Sequence, residues 1–136
     1  MNIESCLEQA KAQCVETLFL DFDGFIVKFN TNSFSLVQEL RDYYRHFLTD
    51  QVARVDRLVL GLQTDADLIP SEHWVVKQPD PGKSKIKEHL LFVDSGKVVR
   101  KVLTGVHLFF IGHDRICAGP LEANPNQVVN FINNMH

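Results

Sequence analysis

The sequence predicts an α+β domain: a mainly antiparallel sheet built from hairpins, a long helix after the first hairpin, and a C-terminal helix. Three features carry that prediction. Asp23-Gly24 sits between two alternating apolar stretches, a strong short-range hairpin signal. Apolar residues from Leu36 to Phe47 recur at helical spacing. From residue 88 to residue 118, strand-like runs follow one another with only turn residues between them, which argues against strand-helix-strand units.

Each element follows from local pattern. Ile3, Leu7, Ala10 and Cys14 share one face of a short amphipathic helix over residues 3–14. Residues 17–30 form two strands. With Asp23-Gly24 as a two-residue turn, Phe22 faces Phe25, Leu20 faces Val27 and Leu18 faces Phe29. That register puts six apolar side chains on one face. Thr17, Phe19, Asp21, Ile26, Lys28 and Asn30 take the other. Residues 33–48 read as the strongest helix, with Leu36, Val37, Leu40, Tyr43, Tyr44 and Phe47 along one stripe and Ser35 with Gln38 as a capping box.

Val55 to Leu62 reads as a strand, and residues 63–86 as a long loop punctuated by Pro70, Pro79, Pro81 and Gly82, with at most a short strand at His73–Val76. Strands are expected near 88–93, 97–104, 106–111 and 115–118, with turns at Asp94-Ser95-Gly96 and Gly112-His113-Asp114. Asn124 caps a last helix that Pro125 opens and that buries Val128, Phe131, Ile132 and Met135.

The bulk properties narrow the class. The 136 residues fit a single domain, 1–136, and a hydrophobic content of 45% with ten Phe supports a true core. The net charge of −3 gives no reason to expect a nucleic-acid partner. No apolar run suits a membrane span, and the N-terminal stretch does not read as a signal peptide. Cys6, Cys14 and Cys117 form no CxxC pair, so a disulfide framework and a zinc site are not expected, and a cytoplasmic setting is. The six histidines are scattered, which gives no reason to expect a metal site, and no cofactor is expected.

Three motifs bear on chemistry. Leu18-Phe19-Leu20-Asp21-Phe22-Asp23-Gly24 resembles the first motif of haloacid-dehalogenase-like phosphatases. The resemblance implies Asp21 as nucleophile and Asp23 as general acid beside a Mg²⁺. Phe25 stands where that family usually has Thr, and the apolar register above explains the segment as a hairpin. Pro81-Gly82-Lys83-Ser84 matches the end of a phosphate-binding loop, but Lys77 occupies the position of its first Gly, so a solvated turn is expected. Residues 77–101 are rich in Lys and Arg. Lys97, Arg100 and Lys101 form a candidate docking patch for an acidic or phosphorylated partner.

The order of elements resembles the region that precedes the kinase domain in HPr-kinase-related proteins, bacterial relatives of the HPr serine kinase/phosphorylase. The segments that carry it are LFLDFDGFIVKFNTN, SLVQELRDYYRHF and FFIGHDRICAGPLEANPNQVVNFINN, within residues 17–134. The resemblance implies a non-catalytic N-terminal domain that packs on a kinase core, oligomerises or docks substrate. Its partners would be a C-terminal kinase domain of the same protein, beginning beyond His136, and a second copy of the chain. The family's catalytic residues have no counterpart among residues 1–136. The alternatives are a phosphatase using Asp21 and Asp23 and a stand-alone adaptor module.

Overall fold

The computed structural model describes residues 3–66, 75–76, 81–82, 88–93 and 96–134. In chain order the elements are α1 (Ile3–Gln13), β1 (Glu16–Phe22), β2 (Phe25–Thr31), α2 (Phe34–Tyr43), β3 (Arg57–Gln63), β4 (Val75–Val76), β5 (Glu88–Val93), β6 (Gly96–Lys101), β7 (His107–Ile111), β8 (Asp114–Gly119) and α3 (Pro125–Asn133). The strands form one sheet in the order β1-β2-β3-β8-β7-β6-β5-β4.

The sheet is mixed, which corrects the expectation of a mainly antiparallel one. β3 pairs parallel to β2 on one side and parallel to β8 on the other. The physical reason lies in β3 itself. Val59, Leu60, Gly61 and Leu62 are all buried, although successive side chains point to opposite faces. A strand buried on both faces suits the interior of a sheet with helices on both sides. Its parallel pairing with β2 also needs a crossover, and α2 supplies it.

The helices make three layers. α2 and α3 cover one face, where Leu36, Val37 and Leu40 meet Val128, Phe131 and Ile132 over Leu18, Leu20, Val27 and Phe29. α1 covers the other, burying Leu7, Ala10 and Cys14 against Leu60, Leu62, Phe109 and Ile116. Tyr44 Oη joins α2 to α3 by donating to Asn133 Oδ1 at 2.7 Å and Val129 O at 3.3 Å.

The helix after the first hairpin is also shorter than expected, ten residues rather than the long 33–48 segment. Residues 47–49 are instead drawn to the outer edge of β1. Asp21 N donates to Phe47 O, Thr49 N donates to Phe19 O, and Leu48 forms a bridge with Leu20. An open strand edge is thereby covered. The helix starts at Ser33, whose Oγ accepts from Leu36 N at 3.1 Å, so the Ser35–Gln38 capping box does not form the cap. Pro125 opens α3 as expected, but Asn124 makes no side-chain cap and donates from Nδ2 to Pro120 O.

The first hairpin has the register that its apolar pattern predicts: Phe22↔Phe25, Leu20↔Val27 and Leu18↔Phe29. Asp23 (φ 58°) and Gly24 (φ 93°) both take positive φ, as a type I′ turn requires. β6 ends at Lys101, earlier than expected, and a turn with Gly105 at φ 81° leads into β7. Most of the expected 63–86 loop lies outside the described residues, as do Asp94, Ser95 and Met135.

Gly61 shows how tightly β3 is seated. A Cβ there would lie 2.7 Å from Phe29 Cζ, inside contact distance. Gly61→Ala should therefore destabilise the fold by about 1–3 kcal/mol, the usual cost of overpacking a core. Denaturant unfolding measures it. An unchanged midpoint would show that the Phe29 ring is free to move aside.

Candidate functional site

The two carboxylates of the phosphatase-like motif lie in the hairpin. Asp23 occupies the turn, and Asp21 Oδ1 accepts from Gly24 N at 2.7 Å. Arg54 reinforces the tip, donating to Gly24 O at 3.0 Å and pairing with Asp56 at 2.9 Å. Asp56 in turn accepts from Ile26 N at 2.8 Å. Phosphoaspartate chemistry of that family needs a parallel strand delivering its Asp, whereas β1 is outermost and antiparallel. A shallow, open depression of about 750 Å³ adjoins the tip, lined by Asp21, Asp23, His46 and Thr49 among others. No group of three or more His, Cys, Asp or Glu side chains that could hold a metal ion occurs among the described residues.

The carboxyl ends of β2, β3 and β8 are where an α/β sheet commonly binds ligands. Here the chain ties that end to itself. Asn32 mimics a peptide group, donating to Gln63 O at 2.9 Å and accepting from Gln63 N at 2.7 Å. Gln63 Oε1 accepts from Glu122 N at 2.7 Å. Glu122 Oε2 accepts from Ser33 Oγ at 2.6 Å and Ser35 Oγ at 2.9 Å. Those two hydroxyls, Ser33 first, hold the Glu122 carboxyl below the usual carboxylate range.

The basic strand reads differently in three dimensions than in sequence. Alternation along β6 puts Lys97 and Lys101 on the α2/α3 side and Arg100 on the α1 side. Arg100 hydrogen-bonds His89 across the β5–β6 ladder. Lys101 is paired with Glu88 at 2.7 Å. Lys97 is exposed, and its Nζ stands 5.5 Å from the centre of the Phe110 ring.

Lys97 belongs to a row that crosses four strands. Phe92 (β5) faces Lys97 (β6), Lys97 faces Phe110 (β7), and Phe110 faces Arg115 (β8). Arg115 Cζ also lies 5.5 Å from the Phe110 ring centre, so one aromatic ring serves two cations. Phe131 of α3 meets the same ring edge-on at 5.5 Å. Phe92, at 63% exposure, leaves the outer end of the row open.

Arg57 adds a third cation beside this row. It precedes Val59, the parallel partner of Arg115, by two residues and therefore shares its face. Arg57 Nε is buried and has no hydrogen-bond partner among the described residues. Leaving a buried donor unsatisfied costs about 1–3 kcal/mol. Burial, then the neighbouring Arg57 charge, pushes the Arg115 guanidinium below its ordinary value, with Asp114 opposing. Asp114 falls on the opposite face with Ile116 and is paired there with Lys11 at 3.4 Å.

Cys14, Cys117 and His107 are buried. Burial pushes the Cys14 thiol up to about 11 and the Cys117 thiol up to about 12, so neither is a ready nucleophile. His107 is buried against Gly105 O at 2.8 Å. Lys83 and Ser84 lie outside the described residues. No helix among the described residues is long and apolar enough to cross a membrane.

Arg57, Arg115, Phe92 and Phe110 were not among the residues singled out from sequence. The β7–β8 hairpin register does imply the Phe110–Arg115 pair. Placing Arg57 beside Arg115 requires the parallel β3–β8 pairing, which leaves no local signal. This chain matches no protein-family model, no curated protein and no solved structure.

The Glu122 tie has a pH signature. Its folded value is lowered, so its stabilisation is complete above the ordinary Glu value of about 4.3 and is lost as pH falls through the lower folded value. Glu122→Gln should flatten the acid limb of the unfolding midpoint against pH. An acid limb identical to that of the unaltered protein would mean that Ser33 and Ser35 do not hold the carboxylate.

Proposed function

We propose that this chain is a non-catalytic docking domain that presents its Phe92–Lys97–Phe110–Arg115 row to an acidic segment of a partner protein. The observation that carries the reading is the pair of cations flanking the Phe110 ring on a partly open sheet face. Lys97 and Arg115 stand over the Phe110 ring with no carboxylate ion pair among the described residues. They remain available to an incoming anion, while Phe92 offers apolar contact beside them.

The setting we infer is the cytoplasmic, kinase-associated one implied by the resemblance to HPr-kinase-related proteins. In that setting the partner is the kinase domain or its protein substrate. The support for it is the agreement of three sequence segments, LFLDFDGFIVKFNTN, SLVQELRDYYRHF and FFIGHDRICAGPLEANPNQVVNFINN. Packing of a second copy of the chain on the same row is the oligomeric form of this reading.

Hexaglutamate serves as the probe. Backbone NMR titration should move resonances of Lys97, Phe110 and Arg115, and binding should weaken with added salt because exposed charges are screened over about 10 Å at 0.1 M ionic strength. Lys97→Glu should lower the affinity by roughly tenfold, a loss expected for reversing one charge in a docking patch. Arg100→Ala, on the opposite face, should leave it unchanged. Equal losses from both variants, or binding indifferent to salt, would overturn the docking row.

A further inference from the structure

Among the described residues, Arg57 and Arg115 carry unpaired hydrogen-bond donors on the same face of the sheet. Arg57 Nε is buried and unpartnered among the described residues. Arg115 spends Nη1 on Gly112 O and Asp114 O, both at 2.9 Å. Its Nε and Nη2 have no hydrogen-bond partner among the described residues. Lys97 stands one aromatic ring away. Among the described residues, Asp56 is held by Arg54 and Ile26 N, and Asp114, whose charge partly offsets the shift of Arg115, is paired with Lys11.

We propose that Arg57 and Arg115 form a receptor for the phosphoryl group of a phosphorylated segment of a partner protein. The inference rests on the docking reading and adds the identity of the anion. Two guanidinium groups and a nearby ammonium carry three positive charges. A single carboxylate neutralises one of them and offers two oxygens. A phosphoryl monoester near neutral pH carries nearly two negative charges and three acceptor oxygens, which matches two planar forks. Guanidinium, unlike ammonium, supplies paired donors in fixed geometry, so the choice of Arg at both positions suits an oxyanion with several coplanar acceptor pairs. Burial and, after it, the Arg57 charge hold the Arg115 guanidinium below its ordinary value, and an anion beside the two would offset the repulsion between them. The exposed Phe92 and the Phe110 ring supply apolar contact for residues flanking the phosphorylated one.

The experiment uses the whole chain and three probes: inorganic phosphate, acetate, and the capped tripeptide Ala-phosphoserine-Ala against its Ala-Glu-Ala counterpart. The readout is the arginine Nε–Hε NMR resonances. Phosphate should move those of Arg57 and Arg115 together, at concentrations at least about tenfold below those at which acetate acts. The phosphoserine tripeptide should bind at least about tenfold more tightly than the glutamate one. Arg115→Lys keeps the charge and loses the fork, and should weaken phosphate binding by about fivefold or more. Phosphate and acetate acting alike, or an Arg115→Lys protein binding phosphate as the unaltered chain does, would overturn the phosphoryl assignment. Should hexaglutamate still bind at Lys97 and Phe110 in that case, only this inference fails. Should hexaglutamate also leave every resonance in place, the docking reading falls with it. The resonances of the unaltered chain decide the question even where a variant does not fold.

Discussion

The fold depends on one constraint: β3 is held between two parallel neighbours and buried on both faces. Val59 and Gly61 face α2 and α3, while Leu60 and Leu62 face α1. Burying an aliphatic side chain of this size contributes about 1.5–3 kcal/mol, so Val59, Leu60 and Leu62 together outweigh any hydrogen bond at the sheet's ends. With β3 in place, the chain needs a crossover helix after β2, a helix over the opposite face, and a glycine where the Phe29 ring passes. α2, α1 and Gly61 meet those needs. The first hairpin joins through β2, and the antiparallel strands join through β8.

The same constraint arranges the charges. Alternation along β3 and β8 brings Arg57 and Arg115 to one face, because Val59 aligns with Arg115 in the parallel register. Val59 and Phe110 stand beside Arg115 on that face. At the other end of β3, Asn32, Gln63 and Glu122 extend the ladder through side-chain amides and a backbone N–H. The two ends differ in kind. One is a polar network closed by internal hydrogen bonds, and the other is a group of cations in which Arg57 Nε has no partner among the described residues.

Local signals were legible in the sequence, and long-range ones were not. Asp23-Gly24 with its flanking apolar pairs announced the type I′ hairpin residue by residue, because turn chemistry and register lie within a dozen positions of each other. Ala10 and Cys14 announced the buried face of α1 in the same way. The parallel pairing of β3 left no such trace. Its only hint was the continuous apolar run Val59–Leu62, which by periodicity alone also suits a buried helix turn. The helix ending at Tyr43 was overestimated because Tyr44 and Phe47 keep helical spacing while their backbone turns toward the edge of β1. Of the candidate docking residues, Lys97, Arg100 and Lys101 are close in sequence, yet alternation separates Arg100 from the other two. Arg57 and Arg115 are far apart in sequence, and the sheet places them on one face.

Amide hydrogen exchange tests the central role of β3 most directly. The amides of Leu60, Gly61 and Leu62 should exchange only through global unfolding, with opening free energies equal to that from denaturant unfolding, while those of the hairpin tip at Asp23 and Gly24 exchange far sooner. Exchange at Leu60–Leu62 through a cheaper local opening, while β1, β2 and β7 stay protected, would contradict the account: β3 would then be an accessory strand, not the element the sheet is built around.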